Sequence, residues 1–163
     1  MSVGRSRTHF ARALGARATS HLQGDVRSGE VGRADCPSAI TVHKDPTCGC
    51  CSGWVQHLHD AGFVTKVLDI SDIDAVKKRL GVPDDLAACH TAQLADFIIE
   101  GHVPAAALKR LLAEKPEATG LAVPGMPVGS PGMEGGRPEK YDVVLFAPNS
   151  RRIYMSFIGE QSV

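Results

Sequence analysis

Ile40 and Val42 alternate with polar neighbours over residues 39–43, and this period-two, β-branched pattern predicts a short strand that ends at the turn signal Asp45-Pro46-Thr47. The period then changes. Trp54, Leu58 and Ala61 recur at helical spacing, which predicts a helix that starts within residues 50–53, runs to Ala61 and stops at Gly62. Residues 63–70 read as a second strand, and Asp72 or Ser71 is placed to cap a helix through Leu80 that Gly81 and Pro83 end. Residues 96–100 read as a third strand, Gly101 as a turn, and Pro104 as the opening of a helix carrying Leu108, Leu111 and Leu112 that stops before Pro116. Residues 120–137, dense in glycine and proline, read as a long loop, and loops of that length in compact domains are often functional. Two strands over 141–147 and 152–157 around Pro148-Asn149-Ser150 predict a C-terminal β-hairpin. Strands alternating with helices give one α/β domain over residues 39–158, built on a mixed β-sheet, with no internal repeat.

Residues 1–38 do not share this pattern. The first 35 residues hold six arginines against Asp25, Glu30 and Asp35, mixed with Gly, Ser and Ala without periodicity, which predicts a mobile Arg-rich leader. A secretory signal needs an apolar core of about seven to fifteen residues, and Arg12 and Arg17 interrupt the best stretch, so no standard signal peptide is recognisable. The rest of the chain is mildly acidic, with twelve basic and fifteen acidic residues, so the net charge of zero is the sum of two unlike parts. Zero net charge argues against nucleic acid as the main partner. The chain has 163 residues, 43% of them hydrophobic, and no apolar run of ~18 residues that would span a membrane.

The cysteines are unevenly placed. Of five cysteines, Cys48, Cys50 and Cys51 fall within four residues, and an odd total clustered this tightly is not a paired disulfide framework. Cys48-Gly49-Cys50-Cys51 follows a strand and opens a helix, where unpaired N–H groups and the helix dipole stabilise thiolates. Cys48 and Cys51 have the C-x-x-C spacing of redox dithiols. Cys50 adds a third sulfur, which suits a soft metal such as Cu(I) better than simple dithiol exchange. Cys89 lies in Ala88-Cys89-His90-Thr91, read as a loop ahead of the third strand. In a glutaredoxin-like arrangement that loop sits beside the cysteine turn, so four sulfurs converge at one end of the sheet. Zinc is the weaker alternative, because the side chains of adjacent Cys50 and Cys51 diverge from a tetrahedral site. Cys36, in the leader, is given no role.

Other candidates are weighed against plainer explanations. His43, His90, Met126 and Met133 are secondary candidate ligands, the histidines for their nearness to the cysteines and the methionines as soft thioethers in a Gly/Pro-rich loop. His57 and His59, two apart on a helix, cannot share a face and read as solvent-exposed. His102 reads as a turn residue satisfying backbone groups, and Met155 as core. Asp72, Asp74, Asp84 and Asp85 fit helix starts. There is no Gly-rich phosphate cradle, H-E-x-x-H or G-x-S-x-G motif, and no residue is assigned a catalytic role.

Thr47-Cys48-Gly49-Cys50-Cys51, Ala88-Cys89-His90-Thr91-Ala92, Glu100-Gly101-His102-Val103-Pro104 and Leu121-Ala122-Val123-Pro124-Gly125-Met126-Pro127 together resemble family 411 of the domains of unknown function, to which CopG-like bacterial copper-resistance proteins belong. The resemblance covers residues 39–157. It implies a thioredoxin-like sandwich and a small metal-binding protein, often exported and encoded with copper-resistance genes. It also implies a cysteine-bridged copper cluster, carried over here to Cys48, Cys50, Cys51 and Cys89. Relatives often carry a signal peptide, so the family implies the periplasm, whereas the N-terminus as written leaves the cytoplasm open. The expected function is Cu(I) binding in copper resistance or homeostasis, open to redox cycling, with copper ions and periplasmic copper-handling proteins as partners. The alternative is a thiol–disulfide oxidoreductase using Cys48 and Cys51, and a third reading is a zinc-stabilised structural module.

Overall fold

Strand β1 (Ala39–Lys44) leads through the cysteine turn into α1 (Gly49–Asp60), and β2 (Val64–Asp69) returns parallel to β1, in a computed structural model that describes residues 39–163. The chain continues through α2 (Ile73–Leu80), a short 3-10 turn (Asp84–Leu86), β3 (His90–Leu94) and β4 (Phe97–Glu100). Then come α3 (Ala105–Glu114), β5 (Gly120–Ala122), β6 (Lys140–Ala147), β7 (Ser150–Ile158) and β8 (Gln161–Ser162). Among the described residues these strands form one mixed sheet in the order β2-β1-β3-β4-β5-β6-β7-β8. Only β1–β2 and β4–β5 are parallel pairs, and each is joined by a helix-bearing crossover, as parallel neighbours require. The fold class is thus mixed α/β.

Two apolar clusters lie on opposite faces of the sheet. Trp54, Val55 and Leu58 of α1 and Leu108 and Leu111 of α3 pack against Ile40, Val42, Ala92, Leu94, Ile99 and Leu121. Val82 and Leu86, around the 3-10 turn, pack with Ile98, Ala122 and Phe146 on the other face. The alternation of neighbours Ile98 and Ile99 between the clusters is the period of two expected of a strand covered on both sides.

Local signals explain most elements. The Asp72 carboxylate accepts the Ala75 N–H at 3.0 Å and caps α2, and Gly81 ends it with a left-handed φ of 74°. The C-terminal β6–β7 hairpin is present, with a bulge between Val143 and Val144. Met155 is partly buried against the main cluster.

Three expectations are corrected. The segment around Cys89 is not simply a loop: β3 starts at His90 and pairs with both β1 and β4. Its residues are buried except Gln93, so it lacks the apolar–polar alternation that marks a half-exposed strand. The stretch after Gly120 is not loop from its start, because Gly120–Ala122 pairs with β4 and β6. A Cβ at Gly120 would stand 1.7 Å from the Ile98 carbonyl oxygen, so only glycine allows that approach. His57 is half-buried and its Nε2 accepts the Ala105 N–H at 3.0 Å, which caps α3 from a neighbouring helix. His59 is exposed, as expected. The leader over residues 1–38 and Cys36 lie outside the described residues.

Candidate metal centre

The cysteine turn is built by its first residues. Asp45 accepts the Thr47 backbone N–H at 2.7 Å and the Thr47 hydroxyl at 2.5 Å, and its carbonyl accepts the Cys48 N–H at 3.1 Å. This reverses the chain between β1 and α1 and makes Cys48 the N-cap, whose side chain caps nothing. No acidic residue occupies the first turn of α1, so its sulfurs are the groups placed to hold negative charge at the positive end of the helix.

Cys48 and Cys51 form a disulfide with Cα atoms 5.5 Å apart, while Cys50 and Cys89 are free and half-buried. Cys50 Sγ stands 3.5 Å from Cys48 Sγ and 3.9 Å from Cys89 Sγ. All four sulfurs, from two segments 38 residues apart in sequence, lie within 4.8 Å of one another. Cys51 is fully buried and Cys50 is not, so these neighbours do diverge.

Cys89 is also the meeting point of two imidazoles. His102 Nε2 lies 3.0 Å from Cys89 Sγ, and His90 Nδ1 lies 3.4 Å from it. Both histidines are fully buried, with ring centroids 5.1 Å apart, and Trp54 packs on His90 at 4.3 Å while donating its indole N–H to the Val103 carbonyl at 2.8 Å. His90 Nε2 and His102 Nδ1 have no hydrogen-bond partner. Burial holds His102 down to about 4 despite nearby Glu134, and burial with the neighbouring His102 and Lys77 holds His90 well below its ordinary value, so both rings are neutral at pH 7. Burial, reinforced by Cys50, pushes the Cys89 thiol up to about 12.

The Cys89 segment is held from the other side of the sheet. Lys77 of α2 pairs with Glu100, which accepts the Thr91 hydroxyl at 2.5 Å and the Ala88 N–H at 2.6 Å, all three side chains being buried. Burial raises the Glu100 carboxyl, opposed by Lys77 and Thr91.

The remaining candidates divide. His43 is buried, with Nε2 3.3 Å from Gln93 Oε1, and belongs to neither the sulfur group nor the Cys89–histidine group. It pairs in register with Thr91, which puts it on the sheet face opposite His90. Met126 is 54% exposed. Met133 is half-buried and follows Gly132, which rests on the first turns of α1: a Cβ there would meet the Cys50 carbonyl oxygen at 2.4 Å and the Trp54 nitrogen at 2.7 Å. His102, read from sequence as a backbone-satisfying turn residue, instead faces Cys89 from inside the protein. The sequence signal for it was a histidine and an acid flanking Gly101, within the Glu100-Gly101-His102-Val103-Pro104 motif.

Residues 86–133 match the family described as "Protein of unknown function, DUF411". Two solved structures are similar over most of the chain. Copper resistance protein copG, form 2, is 45% identical, with a TM-score of 0.71 over 74% of this chain and 98% of that one. Form 1 is also 45% identical at a TM-score of 0.71, over 76% and 99%. No curated protein matches the chain.

Proposed function

Because the chain belongs to the DUF411 family of CopG-like proteins, we propose that it is a copper-resistance protein that binds Cu(I) through the thiolates of Cys48, Cys50, Cys51 and Cys89. The observation that carries this reading is the meeting of four sulfurs within 4.8 Å at a helix start. Thiolates are soft donors that favour Cu(I), and the crowding of Cys50 and Cys51 suits shared, bridging sulfurs better than a closed tetrahedral zinc site. Two buried imidazoles, with His102 Nε2 3.0 Å and His90 Nδ1 3.4 Å from Cys89 Sγ, also fit a metal-binding centre.

Loading requires reduction of the Cys48–Cys51 disulfide by two electrons and two protons to two thiols, and each thiol then gives up its proton as it binds the metal as a thiolate. Copper binding is therefore coupled both to thiol redox state and to pH. Several Cu(I) ions bridged by these sulfurs, a thioredoxin-like fold and a periplasmic location with other copper-handling proteins as partners complete the reading. The fold proposal draws support from the β1-α1-β2 unit with the C-x-x-C turn at its first connection.

Anaerobic Cu(I) titration of the reduced protein tests the proposal. The wild type is expected to take up several equivalents and Cys50→Ser fewer; an unchanged number in Cys50→Ser would sink the shared-sulfur centre.

A second reading, a thiol–disulfide oxidoreductase with Cys48 and Cys51 as the exchanging pair, is favoured by the disulfide itself. It requires insulin reduction that Cys48→Ser abolishes and Cys50→Ser leaves intact.

A further inference from the structure

We infer that Glu100, charge-balanced by Lys77, is a positioning residue for Cys89: its carboxylate holds the Ala88 N–H and so sets where the one thiolate from outside the cysteine turn stands. The inference rests on the copper-binding reading above and gives a part in it to side chains that touch no metal, on the sheet face opposite His90.

Lys77, Thr91 and Glu100 form a closed ring of buried contacts. Lys77 Nζ donates to Thr91 Oγ1 at 2.9 Å and pairs with Glu100 Oε1, and the Thr91 hydroxyl donates to Glu100 Oε2 at 2.5 Å. One further donor joins the ring from another segment, the Ala88 N–H on Glu100 Oε1 at 2.6 Å. Ala88 lies ahead of β3, which starts at His90, so no ladder partner serves that N–H. Gly101 closes on the same residue: a Cβ there would stand 2.7 Å from the Ala88 Cβ and 2.6 Å from the Val123 carbonyl oxygen. The segment ahead of Cys89 is thus clamped between a fixed carboxylate and the close backbone of the next turn.

A buried lysine and glutamate are a costly way to fill a core, since an apolar pair of similar volume is often as stable or more so. What an apolar pair does not supply is an acceptor for the Ala88 N–H. Cys48, Cys50 and Cys51 are placed by one turn and the helix it opens, whereas Cys89 comes to them from the other segment, with its sulfur 3.9 Å from that of Cys50. Sulfurs from two segments share metal tightly only where both segments are held at that spacing. Groups that orient ligands without touching the metal are worth about 10–100-fold in metal affinity.

The test compares Lys77→Met/Glu100→Met, which removes charge and acceptor together, with Lys77→Met/Glu100→Gln, which removes the charge and keeps an acceptor. Each is made in the full-length chain, with Cys89 present and with Cys89→Ser, then reduced and titrated anaerobically with Cu(I) against the chelator bathocuproine disulfonate. The Met/Met pair is expected to weaken Cu(I) retention by about tenfold or more, and the Met/Gln pair to stay near the wild type. Neither should weaken retention further in Cys89→Ser, because a residue that acts through Cys89 has nothing left to act on there. A merely structural effect would weaken both backgrounds alike. Unchanged retention in the Met/Met pair overturns the inference, as does an equal loss with and without Cys89, or an equal loss in the two pairs. Where the Met/Met pair does not fold, which near-ultraviolet circular dichroism reports, a backbone ester in place of the Ala88 amide deletes that N–H and decides by the same comparison. Tight binding that these changes leave untouched fails only this inference, whereas no Cu(I) uptake by the wild type fails the copper reading beneath it as well.

Discussion

Glu100 Oε1 accepts the backbone N–H of Ala88 at 2.6 Å, so a carboxylate from β4 holds the residue immediately before Cys89. The same carboxylate pairs with Lys77 from α2, and both side chains are buried. Removing one partner of a buried pair leaves the other charge uncompensated, at a cost of about 3–5 kcal/mol, whereas removing both is far milder. Lys77→Met is accordingly expected to destabilise the metal-free protein by about 3 kcal/mol or more in urea unfolding, and Lys77→Met with Glu100→Gln to recover most of the loss. Equal stabilities for the wild type and Lys77→Met would mean that the pair holds nothing in place.

Acid should weaken the metal-free protein through its buried histidines. Folded His102 titrates at about 4 against an ordinary value of 6.5, and His90 is shifted in the same direction, both mainly by burial. Between these pH values the unfolded chain takes up protons that the folded chain refuses, so stability falls as pH drops from about 6.5 to 4 and is unaffected by these groups above about 7.5. His102 alone accounts for on the order of 2–3 kcal/mol at pH 4. Urea unfolding at pH 7 and pH 4.5 is expected to show the loss, and His102→Gln to show a smaller one. The same pH dependence in His102→Gln would assign the acid sensitivity to other groups.

The cysteine motif, the caps of α2 and the C-terminal hairpin were legible because each rests on neighbours in sequence: a spacing, an Asp before a helix, a Gly after it. β3 was not, because burial on both faces removes the alternation by which a strand is recognised. The same burial hid the Cys89 environment. His90 and His102 come together only through the β3–β4 pairing, in which Thr91 sits opposite Glu100 and the chain then turns at Gly101. Sequence could place Cys89 near Cys50 by topology, but the second imidazole depends on a register that no local pattern states. Likewise, the capping role of His57 depends on the packing of α1 beside α3.

Cys89 should be a slow nucleophile in the metal-free protein. Burial and the neighbouring Cys50 sulfur push its thiol up to about 12, and the thiolate is the reactive form. Iodoacetamide at pH 8 is expected to leave Cys89 largely unmodified over a period in which an exposed cysteine reacts fully. Its alkylation should accelerate as pH rises toward 11, provided the fold persists. Peptide mass spectrometry reads the site directly. Rapid labelling of Cys89 at pH 8 in folded protein would show that its surroundings do not suppress ionisation.

Gly132 offers the sharpest test of how the Gly/Pro-rich segment serves the sulfur centre. Gly125 and Gly132 share a left-handed backbone, with φ of 71° and 87°, so alanine at either position carries the strain of a non-glycine residue there, about 1 kcal/mol. They differ in surroundings. A methyl on Gly125 meets nothing within 4 Å, whereas one on Gly132 would press on the Cys50 carbonyl oxygen and the Trp54 nitrogen, helix backbone that cannot swing aside. Gly132→Ala is therefore expected to cost about 1–3 kcal/mol beyond Gly125→Ala, as overpacking does. It should also lift the segment carrying Met133 from the helix start, so that a competing Cu(I) chelator strips copper faster from Gly132→Ala than from Gly125→Ala or the wild type. Matching stabilities and matching release rates for the two alanine variants would show that the contact between Gly132 and the cysteine helix has no part in retaining metal.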